Sequence, residues 1–175
     1  MPFGLHVPGA VPGFYLHSLQ SDPDFFVFGG LSFGGVSFGA RTPGVSGATW
    51  RHLAGVLDPD TGTARFYVDG VLADETPIQA ANDYDFVGTV VRAGWLWADG
   101  NPDTLKVDLD EIRISSIARY TGGFTPQTVF APDADTLGLW HLDDNDTVLW
   151  DSGPLGLHGV MGYGDHGGEW SGEHP

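Results

Sequence analysis

The chain has 175 residues, with 7 lysines and arginines against 23 aspartates and glutamates, a formal net charge of −16. That length suits one domain with a real core, and that charge argues against nucleic acid and anionic membrane as partners, because both are bound by basic surface. No cysteine is present, which excludes disulfides, and no apolar run is long enough to suggest membrane insertion.

The 27 glycines, 12 prolines and 13% aromatic content fit an all-β chain with many turns. Residues 1–13, MPFGLHVPGAVPG, read as an extended arm rather than a core strand. Met1–Gly4 lacks the basic start of a signal peptide. Phe14–Leu19 is the first expected strand, closed by turn residues Ser21–Asp24. Phe25–Gly39 holds a small repeat, LSFGG and VSFGA, and matches G-x-S-x-G twice. A hydrolase nucleophile elbow needs a helix after its serine. ARTPGVSG follows instead, so the stretch reads as glycine-rich β structure.

Trp50–Pro77, WRHLAGVLDPDTGTARFYVDGVLADETP, carries the clearest pattern. Trp50–Leu57 and Ala64–Val68 read as strands joined by a Pro-Asp-Thr-Gly turn. Alternation places Phe66 and Val68 on one face, and Arg65 and Tyr67 on the other. Asp69-Gly70 is a two-residue hairpin signal, with Val71-Leu72-Ala73 leading away. Ile78–Asp85 reads as a loop, and Phe86–Trp97 as one or two strands. Trp95 and Trp97 share a face of a regular strand, where they form either core or a ligand platform for a sugar ring.

Leu105–Ser115 is expected as a strand whose apolar parity changes between Leu109 and Ile112, which implies a bulge at Asp110-Glu111. Ile117–Thr125 connects and Pro126–Asp135 links. Thr136–Leu142 is a strand, Asp143–Asp146 an acidic turn without EF-hand spacing, and Val148–Trp150 a short apolar run. The glycine-rich, acidic tail contains His166 and His174 at spacing unsuited to zinc. The expected organisation is an arm at 1–13, a sandwich at 14–160 and a tail at 161–175. Trp50, Phe66, Val68, Ile112, Ile114, Leu139 and Trp140 are the expected anchors of the core. Leu139 and Trp140 are adjacent, so burying both needs a second covering layer.

Three segments resemble one family. WRHLAGVLD with FYVDGVL, then DLDEIRISSIARYTGGFTP, then TLGLWHLDD with DSGPLGLHG are similar to signatures of laminin-G-like, concanavalin A-like jelly-roll domains. The resemblance implies an all-β, two-sheet antiparallel jelly-roll sandwich. It also implies a structural calcium ion, with Asp110 and Asp151 as side-chain ligands, Glu111 as a further candidate, and carbonyls near Gly153 and Gly156 completing the shell. The family has asparagines where this chain has Leu155 and Leu157, and the alternative is that Asp151 caps a turn. In the family the WHLDD…DSG segment opens a domain. Its position here implies permutation or a piece of a repeat array, and in the permuted case it pairs beside the 105–115 strand.

The implied function is non-enzymatic: binding or adhesion to a glycan or surface polymer, outside a cell or on a virion surface. A structural subunit of a virion (decoration, tail or fibre protein) is the alternative. Assembly as a homo-oligomer or particle-bound subunit is expected, with the arm and the 136–175 region at the contact. Related sandwiches include glycoside hydrolases, which need two carboxylates about 5 Å apart. Glu75, Glu111, Glu169 and Glu173 are the only glutamates, and none opens the E-x-D-x-x-E pattern of those enzymes.

Overall fold

The computed structural model describes residues 3–6, 13–19, 22–32, 35–42, 49–78, 90–93 and 108–161. Every regular element among them is a strand. The chain divides into two compact units. One comprises Met1–Trp97 with Tyr120–Pro126, the other Ala98–Arg119 with Gln127–Pro175.

The first unit contains β1 (Phe3–His6), β2 (Gly13–Leu19), β3 (Asp22–Ser32), β4 (Gly35–Arg41), β5 (Leu53–Asp58), β6 (Thr63–Val68), β7 (Val71–Pro77) and β8 (Val90–Ala93). They form two antiparallel sheets, ordered β4-β3-β2-β1-β8 and β5-β6-β7. The sheets pack face to face where β4 meets β6 and β7. Phe28, Ala40, Ala64 and Phe66 form the buried centre, with Leu16, Leu53, Leu57 and Ile78 around it. The Phe28 and Phe66 rings lie 6.4 Å apart, tilted by 45°. Gly55 makes this closeness possible, since a Cβ there would overlap the Phe28 ring. The two sheets are also tied by the Arg41 N–H, which donates to the Asp74 carboxylate at 2.9 Å.

Several expectations hold and several need correction. The β6–β7 connection is the two-residue hairpin, with Asp69 at φ 50° and Gly70 at φ 77°, as a type I′ turn requires. Both G-x-S-x-G serines lie on paired strands, Ser32 ending β3 and Ser37 within β4. Part of the expected arm is a strand: Phe3–His6 pairs with β2 on one side and β8 on the other. Backbone pairing outweighs the nearby prolines, which fall outside those four residues. Asp22-Pro23-Asp24, expected in a turn, begins β3, so the β2–β3 connection is tighter than its turn residues suggested.

The two faces of β6 are both covered. Ala64, Arg65, Phe66 and Tyr67 are all buried. On the Arg65 side, its guanidinium bonds Asp58 at 3.0 Å, Glu75 at 2.6 Å and the Thr61 hydroxyl at 3.2 Å. Bonding from Thr61 and then from Arg65 holds the Asp58 carboxyl below its ordinary value, against the opposing effect of burial. Residues 120–126 cover Tyr67. Tyr120 and Phe124 stack at 3.6 Å, and Tyr67 meets both edge-on. The Phe124 N–H donates to the Gly70 carbonyl at 2.9 Å, and any Cβ on Gly70 would strike the Phe124 carbonyl.

The second unit contains β9 (Ile112–Ser115), β10 (Thr136–Trp140), β11 (Val148–Leu149) and β12 (Gly159–Val160). β10 runs antiparallel beside β9, the pairing expected for the permuted arrangement. Of the strand expected over 105–115, only Ile112–Ser115 is strand among the described residues; Asp108–Glu111 lie outside it, and Glu111 is left-handed at φ 51° where a bulge was expected. The register shift lies on the partner strand, between Thr136 and Gly138. Leu139 and Trp140 are both buried, whereas Trp50, Val68, Ile112 and Ile114 are only half-buried.

Phe66 is fully buried between the sheets. Phe66→Ala should lower the stability of the first unit by about 3–5 kcal/mol in urea denaturation. A loss below about 1 kcal/mol would place the sandwich core elsewhere.

Candidate binding surface

The segment after β11 is a turn-rich loop, Asp151–His158, whose shape is set by one carboxylate. Asp151 Oδ1 accepts the N–H groups of Leu139 and Gly153, each at 2.7 Å, and Oδ2 accepts that of Leu157 at 2.6 Å. The bond to Gly153, two residues on, is an Asx turn. The bond to Leu139 fastens the loop to β10. Ser152 N–H adds a bond to the Leu139 carbonyl at 2.7 Å, and Asp151 bridges Trp140. The Trp140 indole lies over Gly138, where a Cβ would collide with it, and its Nε1–H donates to the Leu157 carbonyl at 3.0 Å. This loop is the covering layer that lets Leu139 and Trp140 both be buried.

Burial opposes ionisation of Asp151. The three backbone bonds, aided by His158, outweigh that penalty and hold its carboxyl below the ordinary value. The Asp151 N–H in turn donates to His158 Nδ1 at 3.0 Å. His158 stands at 70° to the Trp150 indole, with ring centres 4.8 Å apart. Trp150, Leu155 and Leu157 remain 47%, 58% and 48% exposed. The result is an apolar surface on a loop whose backbone is closely bonded.

The expected calcium ligands are all engaged with hydrogen-bond donors. Both Asp151 oxygens take N–H groups. Glu111 accepts the Phe130 N–H at 2.8 Å through Oε2 and meets His141 Nδ1 at 2.7 Å through Oε1. Asp110 Oδ1 accepts the Glu111 N–H at 3.0 Å. The Gly153 carbonyl accepts the Gly156 N–H at 3.4 Å, and the Gly156 carbonyl accepts that of His158 at 2.9 Å. A hard cation needs six to eight oxygens converging on one point. Among the described residues, no group of three or more histidines or acidic side chains is placed to hold a metal. Trp95 and Trp97 lie outside the described residues.

A family profile described as the concanavalin A-like lectin/glucanases superfamily, of the laminin G type, matches residues 7–121. The chain belongs to this laminin-G-like superfamily. No curated protein and no solved structure matches the chain. The matched span runs from β2 to β9, so β1 and the Asp151 loop both lie outside it. Sequence reasoning raised Asp151 as a turn cap but missed Trp150 and His158. The Asp-Ser-Gly spacing signals the Asx turn, whereas the pairing of Trp150 with His158 depends on how the loop closes.

Because the Asp151 carboxyl is depressed in the fold, its ionised form adds stability above the ordinary aspartate value of about 3.9, and that gain is lost as pH falls through the folded value. Asp151→Asn should therefore cost about 1–3 kcal/mol at pH 7 in urea denaturation, and the gap to wild type should narrow below about pH 4. A gap that stays constant down to about pH 2 would contradict this role.

Proposed function

We propose that the chain is a non-catalytic laminin-G-like recognition module, binding a glycan or other surface polymer on an extracellular or particle surface. The observation that carries this reading is the commitment of the described glutamates to structural bonds. Glu75 is tied to the buried Arg65 at 2.6 Å. Glu111 holds the Phe130 backbone and His141. A glycosidase needs one carboxyl free to donate a proton and a second free to attack or activate water. The two glutamates also belong to different units, and each works as a local tie. Membership of a lectin and glucanase superfamily supports carbohydrate as the ligand class, and the engaged carboxylates favour its lectin side.

Since the expected calcium ligands are turned to N–H groups, recognition is proposed to be calcium-independent. A glycan array with the purified chain, repeated in EDTA, should show retention of at least one saccharide in both conditions. The same saccharide incubated with the protein should release no reducing ends. Hydrolysis would contradict the non-catalytic reading, and no retention on any glycan would contradict carbohydrate recognition.

A further inference from the structure

Trp150 is the one tryptophan among the described residues with close to half its surface exposed. Tryptophan is highly buried on average, so an exposed ring beside a closely bonded loop is informative. Its neighbour His158 is fixed by the Asp151 N–H at Nδ1, which makes Nδ1 an acceptor. The neutral imidazole must then carry its proton on Nε2, as a hydrogen-bond donor. His158 is itself exposed, so a flat apolar ring and an oriented donor stand side by side on the surface.

We propose that Trp150 and His158 form a binding site for a neutral saccharide, the indole stacking on the C–H face of a sugar ring and His158 Nε2–H donating to a hydroxyl. The site deepens the recognition function proposed above and rests on it. It lies outside the stretch matched to the superfamily. Charge selects the ligand. The described arginines of the unit are engaged away from the ring, Arg119 with Asp133 and Arg113 over Phe130, and no contact among the described residues brings a cation to Trp150 or His158. A sulfated or sialylated glycan needs such a cation, whereas a neutral sugar does not. A basic peptide would meet a donor N–H from His158 beside the ring, and the carboxylate next in sequence, Asp151, is spent on three backbone N–H groups. The bonds that close the loop also reduce the ordering cost of binding.

The test uses the full-length chain, with the Trp150 indole N–H followed by NMR during titration with neutral gluco-, xylo-, manno- and galacto-oligosaccharides. A heparin fragment and oligolysine serve as charged comparisons. A neutral oligosaccharide should shift the Trp150 resonance and the charged probes should not. Trp150→Ala should weaken that binding about tenfold or more with an unchanged melting temperature, and Trp150→Phe should recover part of it. Equal saccharide binding by wild type and Trp150→Ala would overturn the site while leaving the recognition function standing. Failure of every neutral saccharide to bind wild type would overturn the site, and the recognition function falls with it only if no glycan of any charge is retained on the array. A Trp150 shift with oligolysine alone would assign the surface to a basic peptide and overturn the proposal.

Discussion

In the second unit, one buried carboxylate holds three backbone donors that would otherwise have no partner inside the loop. The desolvation penalty of Asp151 opposes this arrangement, and the bonds from Leu139, Gly153 and Leu157 reverse it. Much else follows from that exchange. Loop and strand are fastened together, Leu157 is brought where its carbonyl can receive the Trp140 indole N–H, and Trp140 is sealed over Gly138. Apolar surface alone would not fix such a loop, because burying its backbone without partners would cost more than the leucines could return.

The first unit solves a related problem with shape. β6 is covered on both faces, so its alternation does not separate an inner from an outer side. Phe66 meets Phe28 across the sandwich, and Gly55 gives up a side chain so that the Phe28 ring can fit. On the opposite face Tyr67 lies under Tyr120 and Phe124, while Arg65 is compensated by Asp58 and Glu75. A buried guanidinium is tolerable only when its donors are satisfied, and this is what commits Glu75 to structure.

Local signals were the most legible part of the sequence. Asp69-Gly70 announced its turn because few residue pairs accept two successive positive φ values. The β5–β6 hairpin, the absence of an elbow after Ser32 and Ser37, and the need for a second layer over Leu139 and Trp140 were legible for similar reasons. Phe3–His6 was not, because its strand character comes from partners distant in sequence, including β8. The irregularity before Ile112 was visible, but not that Glu111 would be left-handed or that the strand would begin only after it. The acidic residues were legible as a group, but their hydrogen-bond partners were not. Glu111 and Asp151 each accept an N–H group brought to them by a chain segment distant in sequence, Phe130 for one and Leu139 for the other.

The most direct measurement of whether one carboxylate organises the candidate surface is amide hydrogen exchange resolved at Leu139, Gly153 and Leu157. At neutral pH all three should be protected in wild type, with or without EDTA, and Asp151→Asn should reduce protection at all three together. Exchange at Gly153 and Leu157 as fast as in an unstructured chain, or protection that appears only with added calcium, would contradict the account.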